Sequence, residues 1–197
     1  MNRRRGKDIR KGFIDTFVRL WGQQDDDSLT ITALVAESGY SRASFYRYFD
    51  NLDNLIVTVV NDMIAELFTR VGQQETRLAE MAALFSYISE NERLFRAYFA
   101  LPAPHPARQI LADELMNFLD ARYDLRDDVT GPLELARDFW IGSTLSVIGL
   151  YLENIEKGAP EDMARVYIDL MMKSLASTAL VLRPEWLQRR PRYLSDD

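Results

Sequence analysis

Apolar residues recur along this chain at intervals of three and four, the spacing of amphipathic helices, and no segment reads as a strand. Ile9, Phe13, Phe17 and Leu20, with Ile14 and Val18 beside them, predict a first helix over 7–24. Ile31, Leu34 and Val35 fall at i, i+3 and i+4 and predict a short second helix, and Phe45 and Phe49, four apart, mark the inner face of a third. Leu55, Val59, Met63, Leu67 and Val71 then follow at successive steps of four, so 51–75 reads as one long helix. Helical segments over 78–89, 91–101, 105–123, 132–157 and 160–182 complete an all-α chain of about nine helices.

The breaks between these segments have chemical causes. Three prolines in LPAPHP, 101–106, remove backbone donors and fix φ, so no helix continues through them. Gly131-Pro132 places a stop before a proline that suits a first helical turn, and Gly158-Ala159-Pro160 repeats the device. So short a connection makes the last two helices antiparallel neighbours. The polar run QQDDDS, 23–28, ends the first helix. The tail RPEWLQRRPRYLSDD is charged and punctuated by proline, and it is expected to be partly ordered, with Trp186 docking back. The chain contains no internal repeat or low-complexity segment.

Residues 30–55, TITALVAESGYSRASFYRYFDNLDNL, carry the strongest functional signal. Thr30 is placed to cap the second helix through an N–H one turn on. Gly39 stands where the chain must reverse and takes positive φ without penalty, and Ser41 caps the third helix after a gap short enough for a helix-turn-helix. With Phe45 and Phe49 facing inward, Tyr46 and Tyr48 cannot both join them. Arg42 and Arg47 have no acid at i±4. Arg42, Ala43, Ser44, Tyr46, Arg47 and Tyr48 thus offer guanidinium, hydroxyl and aromatic groups on one surface, a dress that suits a major groove.

Charge distribution supports that reading, although the net charge of −6 over 197 residues argues against nucleic acid if taken globally. Residues 1–24 hold seven basic groups, Arg4 among them, against two acids, whereas residues 51–197 hold 15 against 23. A cationic arm and helix-turn-helix on an acidic body bind DNA by one end only. A hydrophobic share of 47% is enough for a core. The longest apolar stretch, 145–152, falls far short of the roughly 20 residues that span a bilayer. No membrane segment, no membrane partner and a cytoplasmic location are expected.

Other chemistries lose their parts. The chain has no cysteine, which removes disulfides and thiolate-held metals, and His105 is its only histidine, so neither a catalytic triad nor a two-histidine metal site is available. No enzyme activity, no metal and no cofactor are expected.

The segment also resembles the TetR family of bacterial transcriptional regulators, whose pattern runs roughly T-[IV]-x-x-[IL]-A-x-x-[AS]-G-[VY]-S-x-[AG]-[ST]-[FL]-Y-x-[YH]-F-x-[ND]-K-x-x-L. The match covers about the first quarter of the chain. One departure stands out: the family's phosphate-contacting lysine is replaced by Leu52, flanked by Asp50 and Asp53. The resemblance implies a three-helix DNA-binding domain over 1–50 and a ligand-binding and dimerisation domain over 51–197, linked by helix 51–75. It implies base contacts by Arg42, Ala43 and Tyr46, with Arg47 a further reader, and phosphate contacts by Thr30, Ser41, Ser44 and Tyr48.

The body is rich in aromatics, and packing alone accounts for most of them. The resemblance implies that some line a small-molecule cavity, with Tyr98, Phe99, Phe118, Phe139 and Trp140 as candidates. Gly142, Ser146 and Gly149 recur at i, i+4 and i+7, and Ser174, Ser177 and Thr178, beside Leu170, offer a similar stripe on the last helix. In a homodimer built as the family builds one, these helices form the seam. Packing against the subunit's own core is the alternative. The expected function is a ligand-responsive repressor that releases a palindromic DNA operator when a small apolar or amphipathic effector binds. The rival is a constitutive DNA-binding and protein-interaction module with no small-molecule ligand.

Overall fold

The computed structural model describes residues 2–23, 29–125, 133–155, 158–176 and 180–182. Among them run nine helices: α1 (Asn2–Leu20), α2 (Ile31–Ser38), α3 (Arg42–Tyr46), α4 (Leu52–Gly72), α5 (Arg77–Glu90), α6 (Glu92–Ala100), α7 (Arg108–Arg122), α8 (Leu133–Glu153) and α9 (Pro160–Ala176). The fold is helical, as the apolar spacing predicts. The segments 126–132 and 183–197, including Trp186, lie outside the described residues.

One ribbon departs from the helical expectation over 105–123 and 160–182. β1 (Tyr123–Leu125) and β2 (Leu180–Leu182) pair antiparallel, Tyr123 opposite Leu182 and Leu125 opposite Leu180. Three-residue apolar runs such as Leu-Val-Leu carry no periodicity that separates strand from helix. Pairing also satisfies backbone groups that a helix end would leave without partners.

The chain divides into two compact units: Met1–Met63 with Asn91–Ile110, and Ile64–Glu90 with Leu111–Asp197. In the first, α1, α2 and α3 pack on one another. Phe13, Phe17, Leu34 and Phe45 are completely buried. Phe13 meets Phe45 and Phe49 edge-on at 5.5 and 6.5 Å, an arrangement favoured by the aromatic quadrupole. Each such side chain contributes about 1.5–3 kcal/mol on full burial, so the aromatic spacing fixes the helix-turn-helix as a solid body.

α6 belongs to this same unit and closes the end of α1. Arg93 Nη2 donates to Val18 O at 3.1 Å, one of the last-turn carbonyls with no partner inside the helix, and its charge suits the helix C-terminus. Gly22, at φ 75°, turns the chain there. A Cβ on Gly22 would stand 2.7 Å from Arg93 Cγ and 2.9 Å from Arg93 O, so only glycine permits this approach.

The proline-rich segment between α6 and α7 is held by its own polar groups. His105 Nδ1 accepts from Ala107 N at 3.1 Å, Tyr98 OH donates to Arg108 O at 2.9 Å, and the Arg108 guanidinium donates to Leu101 O. His105 Nε2 is buried, without a hydrogen bond among the described residues, and lies 3.6 Å from Asp53 Oδ1 in the first turn of α4.

In the second unit α5 packs mainly on α9 and also touches α8. Phe85 meets Tyr151 and Tyr167 edge-on at 5.0 and 6.0 Å. Arg70 ties α4 to α5: it bonds Glu66 at 3.1 Å and Glu90 at 2.7 Å and lies over the Tyr87 ring at 4.7 Å. Those bonds, to Glu90 first and Glu66 second, hold its pKa above the usual value, while burial raises that of Tyr87, with Glu66 adding to it.

Candidate nucleic-acid interface

The helix-turn-helix is built by its caps. Thr30 has extended backbone and its Oγ1 accepts from Ala33 N at 3.1 Å, opening α2. Gly39 closes α2 at φ 70°, its N–H bonded to Val35 O at 3.2 Å, in the left-handed C-cap that favours glycine. Ser41 Oγ accepts from Ser44 N at 3.1 Å and opens α3. Tyr48 N and Phe49 N both bond Phe45 O, which tightens the last turn of α3.

These caps leave protons to give. A hydroxyl that accepts an N–H keeps its own hydrogen, so exposed Thr30 retains a donor for an outside acceptor. Ser41 Oγ and Ser44 Oγ are 2.9 Å apart. One donates to the other, and of their two protons one remains.

Phe45 and Phe49 face inward, at 0% and 2% exposure. Arg42, Ala43, Tyr46 and Arg47 are exposed, and Ser44 and Tyr48 are half-buried. Arg42 and Arg47 make no ion pair among the described residues, so their charge is not already neutralised by a carboxylate. Arg42 Nη2 donates to Tyr46 Oη at 3.4 Å, and its guanidinium carbon stands 5.8 Å from that ring's centroid. Arg4 falls in the first turns of α1, and its side chain lies outside the described residues. At the start of α4, Asn51 Oδ1 accepts from Asn54 N at 2.8 Å, and half-buried Leu52 occupies the first helical position.

The body candidates separate. Phe118 and Trp140 come together with Phe68, Leu84, Thr144 and Tyr167 around a crevice. Its cavity volume of about 10 Å³ is near the minimum for one water. Thr144 Oγ1 donates to Trp140 O at 2.8 Å and lies 2.9 Å from Tyr167 OH, a buried polar pair in an otherwise apolar wall. Tyr98 and Phe99 belong to the other unit, on α6, and Phe139 is 57% exposed. Thr144 and Tyr167 escape sequence reading because they are 23 residues apart and no local pattern joins them.

Along α8, Gly142 and Ser146 are exposed and Gly149 half-buried, and a Cβ on either glycine would meet nothing within 4 Å. Leu150 at 57%, Val166 at 53% and Leu170 at 50% exposure continue an apolar surface across α8 and α9. The side chain of Ser174, and Thr178 as a whole, lie outside the described residues. Among the described residues no helix is long and apolar enough to cross a membrane.

Residues 13–59 match the family described as bacterial regulatory proteins, tetR family. None of the curated proteins compared matches the chain. Among solved structures, it is similar to a TetR transcriptional regulator from Streptococcus agalactiae 2603V, with TM-score 0.70 and 16% identity over 85% of this chain and 95% of that one. A putative TetR-family transcriptional regulator from Syntrophomonas wolfei str. Goettingen gives TM-score 0.65 and 15% identity over 90% and 99%. The transcriptional regulator FadR from Bacillus subtilis, in complex with stearoyl-CoA, gives 0.61 and 16% over 82% and 96%. At these identities the likeness is one of fold.

Proposed function

We propose that the chain, whose residues 13–59 match the tetR family of bacterial regulatory proteins, is a homodimeric repressor of that family whose two reading heads grip a palindromic DNA operator. The observation that carries this reading is the surface of α3 and its flanks. Capped by Ser41 and backed by wholly buried Phe45, it turns Arg42, Ala43, Tyr46 and Arg47 outward, and among the described residues its arginines pair with no acid. Arg42, Ala43, Tyr46 and Arg47 read base edges. Thr30, Tyr48 and the Ser41–Ser44 pair, through the one proton it keeps, donate to phosphates, and Arg4 adds charge from the N-terminal arm.

Residues 1–50 form the head and 51–197 the body. The open glycine stripe of α8 and the exposed Leu150, Val166 and Leu170 support a seam with a second copy, to which Ser174 and Thr178 also belong. A dimer places two heads in successive major grooves.

The effector enters the body at the crevice of Phe118 and Trp140, where apolar walls and one hydroxyl pair suit a small apolar or amphipathic molecule. Tyr98, Phe99 and Phe139 do not line that crevice. A cavity of about 10 Å³ holds no such molecule as it stands. Binding must therefore select a more open body, and α4, which contributes Phe68 and Val71 to the crevice wall and buries Leu55 and Val59 at its other end, next to the head, carries that preference to the operator. The small volume also favours a second reading, a constitutive DNA-binding module that needs no effector.

The test has two steps. Selection of bound sites from random duplexes returns a palindrome under the proposal; binding without sequence preference refutes it. A panel of apolar and amphipathic compounds is then screened for a rise in melting temperature, which a ligand of the folded state produces by mass action. Compounds that stabilise the protein and release the operator support the repressor. A panel that does neither supports the constitutive module.

A further inference from the structure

The exposed face of α3 contains one pair of side chains that are already joined. Arg42 and Tyr46 stand one turn apart, and Arg42 Nη2 donates to Tyr46 Oη at 3.4 Å. The guanidinium carbon lies 5.8 Å from the centroid of the Tyr46 ring, within cation–π range. Tyr46 is itself steadied: its ring meets that of Phe45 edge-on at 5.5 Å and 85°, and Phe45 is completely buried between the helices. A line of support thus runs from the aromatic core, through a half-exposed phenol, to a guanidinium with no acidic partner among the described residues.

We propose that Tyr46 is a positioning residue that holds the Arg42 guanidinium for a guanine, so that Arg42 and Tyr46 act as one reader. The inference rests on the DNA-reading function proposed above and adds to it which side chain sets the other's geometry. A guanidinium carries five N–H donors in a fixed fork. One is spent on Tyr46 Oη, and four remain, including a parallel pair that matches guanine O6 and N7. An unsupported arginine must lose its rotamer freedom when it binds. The arginine held by Tyr46 has lost part of that freedom beforehand, and such preorganisation favours the base for which the held geometry is correct. Tyr46 keeps its own hydroxyl proton, so accepting from Arg42 leaves it able to donate to the DNA as well.

The test uses the full chain and the operator obtained by selection, with every base pair of one half-site replaced in turn. Affinities are measured for the unaltered protein, Arg42→Ala, Tyr46→Phe and the double variant. Tyr46→Phe keeps the ring and its contact with Phe45 and removes only the hydroxyl, so helical content stays unchanged. Arg42→Ala is expected to abolish the preference for G·C at one position. Tyr46→Phe is expected to weaken the preference at that same position by about three- to tenfold, the worth of one hydrogen bond; a loss at a base that Tyr46 itself touches persists in the Arg42→Ala background and is thereby told apart. In the double variant the Tyr46 effect at that position vanishes.

A preference left intact by Tyr46→Phe, moved to another position, or lost additively with Arg42→Ala overturns the pairing while Arg42 stands as a reader. If Arg42→Ala flattens no position, its role as a base reader falls, and the pair with it.

Discussion

Gly22 and Gly39 form a natural experiment, because both have nearly the same left-handed backbone, φ 75° and 70°, in different surroundings. A Cβ on Gly39 meets nothing within 4 Å, whereas one on Gly22 presses into Arg93 Cγ at 2.7 Å and the Arg93 carbonyl oxygen at 2.9 Å. Gly39→Ala therefore carries the conformational penalty alone, about 1–2 kcal/mol, partly offset by the lower entropy of the unfolded chain. Gly22→Ala carries the same penalty and a steric one. The Cγ contact yields by moving a flexible side chain, but a backbone carbonyl inside α6 does not yield cheaply. Overpacking of this kind costs about 1–3 kcal/mol, and moving α6 away strains the Arg93–Val18 bond as well. Gly22→Ala is thus expected to lose about 2–5 kcal/mol before the unfolded-state offset, exceeding Gly39→Ala by about 1–3 kcal/mol. Urea unfolding followed by far-ultraviolet circular dichroism measures both losses, at matched protein concentration because the stability of the proposed dimer depends on it. Equal losses in the two variants refute the argument that α1 ends docked on α6.

Two further outcomes follow from other parts of the molecule. Leu52→Lys is expected to tighten binding to specific and random duplexes together and to steepen the dependence of log affinity on log salt by about one unit; an unchanged slope means that another group already holds that phosphate. Gly149→Trp adds bulk where, among the described residues, a Cβ meets nothing within 4 Å, so it is expected to shift the protein toward monomer in sedimentation and abolish operator binding while helical content stays intact. A dimeric variant that binds DNA normally moves the seam elsewhere.

The helix-turn-helix was legible because its determinants are local. Thr30, Gly39 and Ser41 each act within four residues of themselves, and Phe45 and Phe49 declare the inward face by their spacing. Helix length was less legible: α1 begins at Asn2, ahead of the expected residue 7, because the preceding polar residues have no apolar period to count. The body shows where sequence reading stops. Phe139 and Trp140 are neighbours in the chain and both are aromatic, yet successive helical residues point about 100° apart, and only Trp140 is buried. Composition supplies two candidates where packing accepts one. The end of α1 shows the same limit, since nothing near Gly22 in the sequence announces Arg93.

The single histidine offers one more use. With Nδ1 accepting from Ala107 N–H, the neutral imidazole carries its proton on Nε2, the nitrogen that faces Asp53. In a chain with one imidazole, its ring signals in a magnetic resonance spectrum need no assignment by mutation. They form a built-in reporter, sensitive to both the proline-rich segment and the first turn of α4, which follows α3, the helix proposed to read DNA. Adding operator or effector and watching that one residue follows the segment behind the reading head without attaching a probe to it.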